Sequence, residues 1–356
     1  MKKIFVALAA VAALAACSKS NVEYTPTDEI SFAPVAKNMT KSMMTGTDFQ
    51  TTESFNVWAW YNQVGAGTDA TAWDTSTDNY YFEEGTFVNK GKDWGGATPY
   101  YWPKVGSLLF AGYYPVEAAS YATYTFEGTT NQMVFTDYGQ SEVDSEGYSE
   151  DLMYFNMTEK SHNSGPVAVV FKHALSWVTV NLSRPTENPD DAKTGKPAEY
   201  PKITVNDVTF TNVNPQGTGT VAGTEGTIVW SVNGTAAPTT VNTEDVVLST
   251  TVQKQKEPLF IPQVFTTDDA ATDDKNEAME LKVTYTIASS ANESFQETYT
   301  VALAGMSGTT TDGAVTVNSW EPAKHYIYNI TIGIEEILIV PTVEDWTEVT
   351  VPVIVE

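Results

Sequence analysis

Cysteine is almost missing from this chain: Cys17 is the only one in 356 residues, so no disulfide can staple the fold and no thiol pair can hold a metal. Arginine is just as scarce, with Arg184 alone, and the 19 basic residues face 45 acidic ones. A formal charge of -26 repels nucleic acid and anionic membrane surfaces, which excludes a DNA or RNA partner. Histidine is limited to His162, His173 and His325, far apart and without paired zinc spacing. No Gly-x-Ser-x-Gly elbow and no phosphate-cradling glycine loop occurs, so the chain offers no catalytic or cofactor-binding constellation and is not expected to be an enzyme. After the first residues, no run approaches the roughly 18 apolar residues of a spanning helix.

What is present begins with an export signal. Lys2 and Lys3 precede an apolar stretch from Ile4 to Ala13, and Leu14-Ala15-Ala16-Cys17 closes it with small residues. Residues 1–16 form a lipoprotein-type signal peptide, cut before Cys17, whose thiol and new amine take acyl chains. Each buried CH₂ contributes roughly 0.8 kcal/mol, so several chains anchor the precursor to the outer membrane. Losing Lys2 and Lys3 moves the formal charge from -26 to -28.

The remainder reads as all-β. Leu281, Val283, Tyr285 and Ile287 alternate with Lys282, Thr284 and Thr286, and Val167, Val169 and Phe171 repeat the pattern. Turn signals such as Gly95-Gly96 and Asn233-Gly234 recur between such runs, which points to antiparallel sandwiches. Residues 17–46 form a tether and a first strand, Ile30 to Val35. A first sandwich covers 47–182, a charged, Pro-rich linker 183–201, and a second sandwich with an extended tail 202–356.

Three side-chain groups invite a sharper function. Asp74-x-Ser76-x-Asp78 opens like a calcium loop, but Asn79 stands where glycine is needed and Gly85 where a bidentate glutamate belongs. Asp268, Asp269, Asp273 and Asp274 make a second acidic cluster, and a solvated loop is the favoured reading of both. Trp58, Trp60, Trp73, Trp94 and Trp102 could build a sugar platform, although Trp58 and Trp60 alternate with Val57 and Ala59 as packing residues do. His173 falls in phase with Val169 and Phe171, as a structural strand histidine.

Five landmarks, in order, give the chain a resemblance. They are Tyr100-Tyr101-Trp102-Pro103 with Phe110-Ala111-Gly112-Tyr113-Tyr114-Pro115, then Phe171-Lys172-His173-Ala174-Leu175-Ser176, then Ile261-Pro262-Gln263. Trp320 with Tyr326-Ile327-Tyr328-Asn329-Ile330 follows, and Pro341-Thr342-Val343-Glu344-Asp345-Trp346 closes the set. With the lipoprotein signal, they resemble those of the Mfa-like fimbrillins, the subunits of type V pili.

The resemblance implies two tandem transthyretin-like antiparallel sandwiches and a route to polymerisation. Family precursors reach the surface as lipoproteins, a trypsin-like protease removes the tether with the first strand, and a strand of the next subunit fills the groove. On this chain the removable strand carries Ile30, Phe32 and Val35, and the basic sites after it are Lys37 and Lys41. Family cleavage commonly follows arginine, which this stretch lacks. The donor candidate is the C-terminus, where Val349, Val351, Val353 and Val355 share one strand face. Burying four valines yields about 6–12 kcal/mol gross, at roughly 1.5–3 kcal/mol each. Pro352 suits an edge strand of the chain's own last sheet, which is the competing role for this tail. The expected partners are therefore other fimbrillin subunits and the maturing protease, with no cofactor. The competing function is a lipid-anchored surface protein that binds glycans, or a pilus anchor or tip.

Overall fold

The computed structural model describes residues 29–36, 49, 51–62, 80–127, 130–139, 149–161, 165–185, 202–223, 226–267, 277–288, 292–333 and 337–345. Strands dominate these residues, and the sole helical element among them is a short 3₁₀ turn, Val116–Ser120.

The first part of the chain closes into a barrel. Its strands are β1 (Ser31–Ala36), β2 (Ser54–Asn62), β3 (Tyr80–Asn89), β4 (Trp94–Gly96) and β5 (Ser107–Tyr114). After β6 (Ala122–Glu127) and β7 (Thr130–Gly139), which lie outside it, β8 (Met153–Ser161) and β9 (Val167–His173) complete the ring. The hydrogen-bonded order is β1-β4-β3-β2-β5-β8-β9, with β9 returning to β1. The sequence dictates which strands are covered on both sides. β5, SLLFAGYY, is apolar almost throughout and buried at all eight positions, whereas β9 buries alternate residues and leaves Ala168, Val170 and Lys172 outside. Phe55, Phe82, Phe87, Leu108, Phe110, Phe155 and Phe171 fill the interior.

A four-stranded sheet, β13-β12-β7-β6, covers the outer face of β2 and β5. It unites β6 and β7 with β12 (Gln216–Ala222) and β13 (Val229–Val232) from later in the chain. Trp58, Trp60, Leu109 and Tyr113 meet Tyr124, Met133 and Phe135 between these layers.

The second part packs two sheets face to face. One is β16-β10-β24-β25-β21-β22, with β17 also on β10. Its members are β10 (Ser176–Ser183), β16 (Gln253–Lys254), β17 (Leu259–Phe260), β21 (Met306–Thr310), β22 (Gly313–Val317), β24 (Lys324–Ile332) and β25 (Ile337–Asp345). The other runs β14-β11-β19-β20, with β15 on β11, from β11 (Lys202–Val213), β14 (Ala237–Asn242), β15 (Val246–Val247), β19 (Glu280–Ala288) and β20 (Ser294–Ala302). A two-stranded pair, β18 (Gln263–Val264) with β23 (Ser319–Trp320), sets Trp320 over Phe260 at 4.2 Å. Val178, Val180, Tyr328 and Ile330 from one sheet pack on Val208, Phe210, Leu281 and Val283 from the other.

The all-β expectation holds, and its finer form needs correction. The first half is a closed barrel with a covering sheet, where the first of two tandem transthyretin-like sandwiches is expected. Nor is the pairing wholly antiparallel, because β1 runs parallel to β9, β10 to β24 and β21 to β25. Alternating apolar residues determine which face of a strand is buried and leave its neighbour open, so periodicity could not reveal either feature. Strands of each half also enter the other half's sheets. β10, assigned to the first unit, hydrogen-bonds within the second part's sheet, while β12 and β13 return to cover the first.

A candidate strand-exchange groove

β1 is the element that closes the barrel. On one side it lies antiparallel to β4, with Ser31 opposite Gly95 and Phe32 opposite Trp94. On the other it runs parallel to β9, from Phe32 opposite Val167 to Ala36 opposite Phe171. The Ile30 N–H donates to the Tyr100 carbonyl at 2.8 Å, and Lys90 sits 3.5 Å from Glu29 at the strand's start.

Alternation decides what β1 inserts. Ile30, Phe32 and Pro34 are buried, Ser31 and Val35 are half-buried, and Ala33 is exposed. Phe32 occupies an aromatic cage, with ring centroids 4.7 Å from Phe87, 5.2 Å from Phe110, 5.9 Å from Phe55 and 6.3 Å from Phe155. Three of these contacts are edge-to-face, the arrangement that ring quadrupoles favour. Gly112 makes room for the cage, since a Cβ there would collide with the Phe155 ring and the Asn56 carbonyl. Burial of Ile30 and Phe32 yields about 3–6 kcal/mol gross, at roughly 1.5–3 kcal/mol for each side chain. Without β1, the backbone edges of β4 and β9 and the mouth of this cage would face water.

The expected site residues divide accordingly. Ile30 and Phe32 lie side by side on the inner face, whereas Val35 is in the opposite phase and Pro34 takes the third inward position. The period-2 spacing from Ile30 and Phe32 carried that signal, and proline's poor fit to a strand interior obscured it. Cys17, Lys37, Lys41, Val349, Val351, Val353 and Val355 lie outside the described residues, as do Asp74, Asp78, Asp268, Asp269, Asp273, Asp274, Trp73 and His162. Among the described residues no cluster of His, Cys, Asp or Glu is arranged to hold a metal.

Among the described residues, the tryptophans form no exposed platform. Trp58, Trp60, Trp94 and Trp102 are 2–5% exposed, all inside the barrel or beneath its cover. The two described histidines are buried as well. His173 Nδ1 lies 2.7 Å from an Asp151 carboxylate oxygen, both out of solvent. His325 stacks on Trp177 at 3.6 Å and sits 2.8 Å from the Thr179 hydroxyl, which donates to Glu257. Burial, reinforced by nearby Lys254, pulls the His325 pKa down to about 3.

The chain matches the fimbrillin-like family over residues 40–346. It belongs to that family. The matched span begins after β1 and takes in every later described strand. No curated protein matches the sequence. Among solved structures, a fimbrial protein from Bacteroides vulgatus is 14% identical with a TM-score of 0.54, over 89% of this fimbrillin-like chain and 99% of its own. The two share a fold. The tip fimbrial protein Mfa3 from Porphyromonas gingivalis, truncated at its C-terminus, is 11% identical with a TM-score of 0.39, over 89% of this chain and 100% of its own.

Proposed function

We propose that this fimbrillin-like chain is a structural subunit of a cell-surface fimbrium that polymerises by β-strand exchange. One observation carries the reading: β1 alone closes the barrel, and its inward side chains fill a cage that stays walled by β4, β9 and β5. An extended segment from a neighbouring subunit could take that place, with backbone bonds supplying affinity and the cage supplying register. The precursor is exported as an outer-membrane lipoprotein through Cys17, and a trypsin-like protease that accepts lysine cuts after Lys37 or Lys41. Val349, Val351, Val353 and Val355 form the donor face. Once seated, such a joint persists if release requires the barrel to open.

A second role within the same assembly, that of an anchor, draws on one further observation. The chain's only arginine, Arg184, follows β10, where its backbone N–H donates to the Ser249 carbonyl at 2.9 Å, so an arginine-specific protease finds no site between β1 and β2. An uncut subunit would keep its lipid and stay at the base.

Mass spectrometry of material sheared from the cell surface separates these roles. A mature N-terminus at Asn38 or Ser42 is expected in ladders of oligomers, and deletion of Val349–Glu356 is expected to leave folded monomers that do not extend. A chain that retains acylated Cys17 within a fimbrium supports the anchor. One that never leaves the monomeric state overturns both.

A further inference from the structure

β20 ends its sheet in an unusual way for an outer strand. All nine of its residues pair with β19 without a bulge, from Glu280 opposite Ala302 to Ala288 opposite Ser294. Among the described residues it has no neighbour on its other side. Phe295, Glu297, Tyr299 and Val301 share the face of Ile287, Tyr285, Val283 and Leu281, so they point toward the core side of the sheet. The core nevertheless stops at half-buried Val301: Tyr299 is 38% and Phe295 61% exposed. The strand has no lysine, no proline and no irregular register to protect it as an edge, and its one inward-facing charge, Glu297, already accepts a hydrogen bond from Tyr285. The opposite edge of the same sheet, β14, carries Pro238 and pairs irregularly with β11.

We infer that β20 is an interface for a second copy of this chain, paired antiparallel about a two-fold axis through Thr298. In that register Phe295 lies opposite the partner's Val301, Gln296 opposite the partner's Thr300 and Glu297 opposite the partner's Tyr299. Electrostatics selects this frame. Glu297 is the strand's sole charge, and Tyr285 already donates to one of its oxygens at 2.8 Å, leaving the other for an incoming tyrosine hydroxyl. Centring on Glu297 would oppose two carboxylates, while centring on Gln296 or Tyr299 would set Glu297 across from Phe295 or Val301. The axis perpendicular to the sheet joins two five-stranded sheets into one and merges the two Phe295–Val301 stripes into a continuous apolar surface. A chain with a net charge of -26 is thus offered a contact with one acid per strand, already hydrogen-bonded. This contact is independent of strand exchange, because it requires neither removal of β1 nor the tail.

The test uses the uncut chain with Cys17→Ala, so that each introduced thiol is the only one. Thr298→Cys should oxidise to a disulfide-linked dimer at least tenfold faster than Val264→Cys, whose site is 75% exposed but lies on another strand. The Cα separation of directly opposed strand residues fits a disulfide. Gln296→Cys and Thr300→Cys should each give little dimer alone and cross-link when mixed, since each faces the other. Adding Tyr299→Lys to Thr298→Cys should slow cross-linking at least tenfold. Equal rates for Thr298→Cys and Val264→Cys overturn the inference. So does a Thr298→Cys dimer that forms only once residues 346–356 are deleted, which would mean that the edge receives the tail instead.

Discussion

His325 is held in a setting that suits only its neutral form. The ring lies against Trp177, its Nε2–H is directed at the Thr179 oxygen, and the Lys254 ammonium sits 5.7 Å from the Trp177 ring centre. Glu257 binds both Thr179 and Lys254, and Glu344 stands 4.0 Å from Nδ1 at the rim. With the pKa at about 3 in the fold and 6.5 unperturbed, the unfolded chain takes up a proton that the folded chain refuses. Stability attributable to this ring is therefore complete above about pH 6.5 and falls as pH drops toward 3, by a few kcal/mol at most. Urea midpoints at pH 7, 5 and 4 should show that fall. His325→Phe, which preserves the stack on Trp177, should flatten it; an unchanged acid slope would assign the effect to other groups. Sequence alone gave no hint of this cluster, because Thr179, Glu257 and His325 come from three distant segments joined by the parallel β10–β24 pairing.

At the scale of the element, β1 supplies the clearest experiment. Excision of residues up to Lys37 should leave a barrel that binds a synthetic Glu29–Ala36 peptide, with binding followed by fluorescence anisotropy. Truncating a caged phenylalanine costs about 3–5 kcal/mol, so the Phe32→Ala peptide should bind roughly 10²- to several 10³-fold more weakly. Val35→Ala, on the outer face, should change little by comparison. Equal losses for the two would mean that the cage does not govern recognition. The existence of β1 was legible from Ile30 and Phe32, as was its apolar face. Its partners were not, since a parallel neighbour more than a hundred residues away leaves no mark on a six-residue pattern.

For the whole molecule, the consequence of the crossed strands is mutual dependence. Residues 18–182 expressed alone would lack β12 and β13, exposing the face of Met133, Phe135 and Tyr138, and would strand β10 without β24. Such a fragment should bind hydrophobic dyes and unfold without a sharp transition, whereas a cooperative melt would show that the first half is self-sufficient. By itself the sequence determined the strand class, the acidic balance and the faces that must be buried. Each of these follows from residue chemistry and period-2 alternation, which act locally. The closure of a barrel by β1, the burial of its described tryptophans, the traffic of β10, β12 and β13 between halves and the place of β20 at the edge of its sheet among the described residues were decided in the tertiary structure. Those outcomes depend on which backbone edges meet, and hydrogen-bonding groups are alike at every residue, so only the packing of the complete chain selects among them.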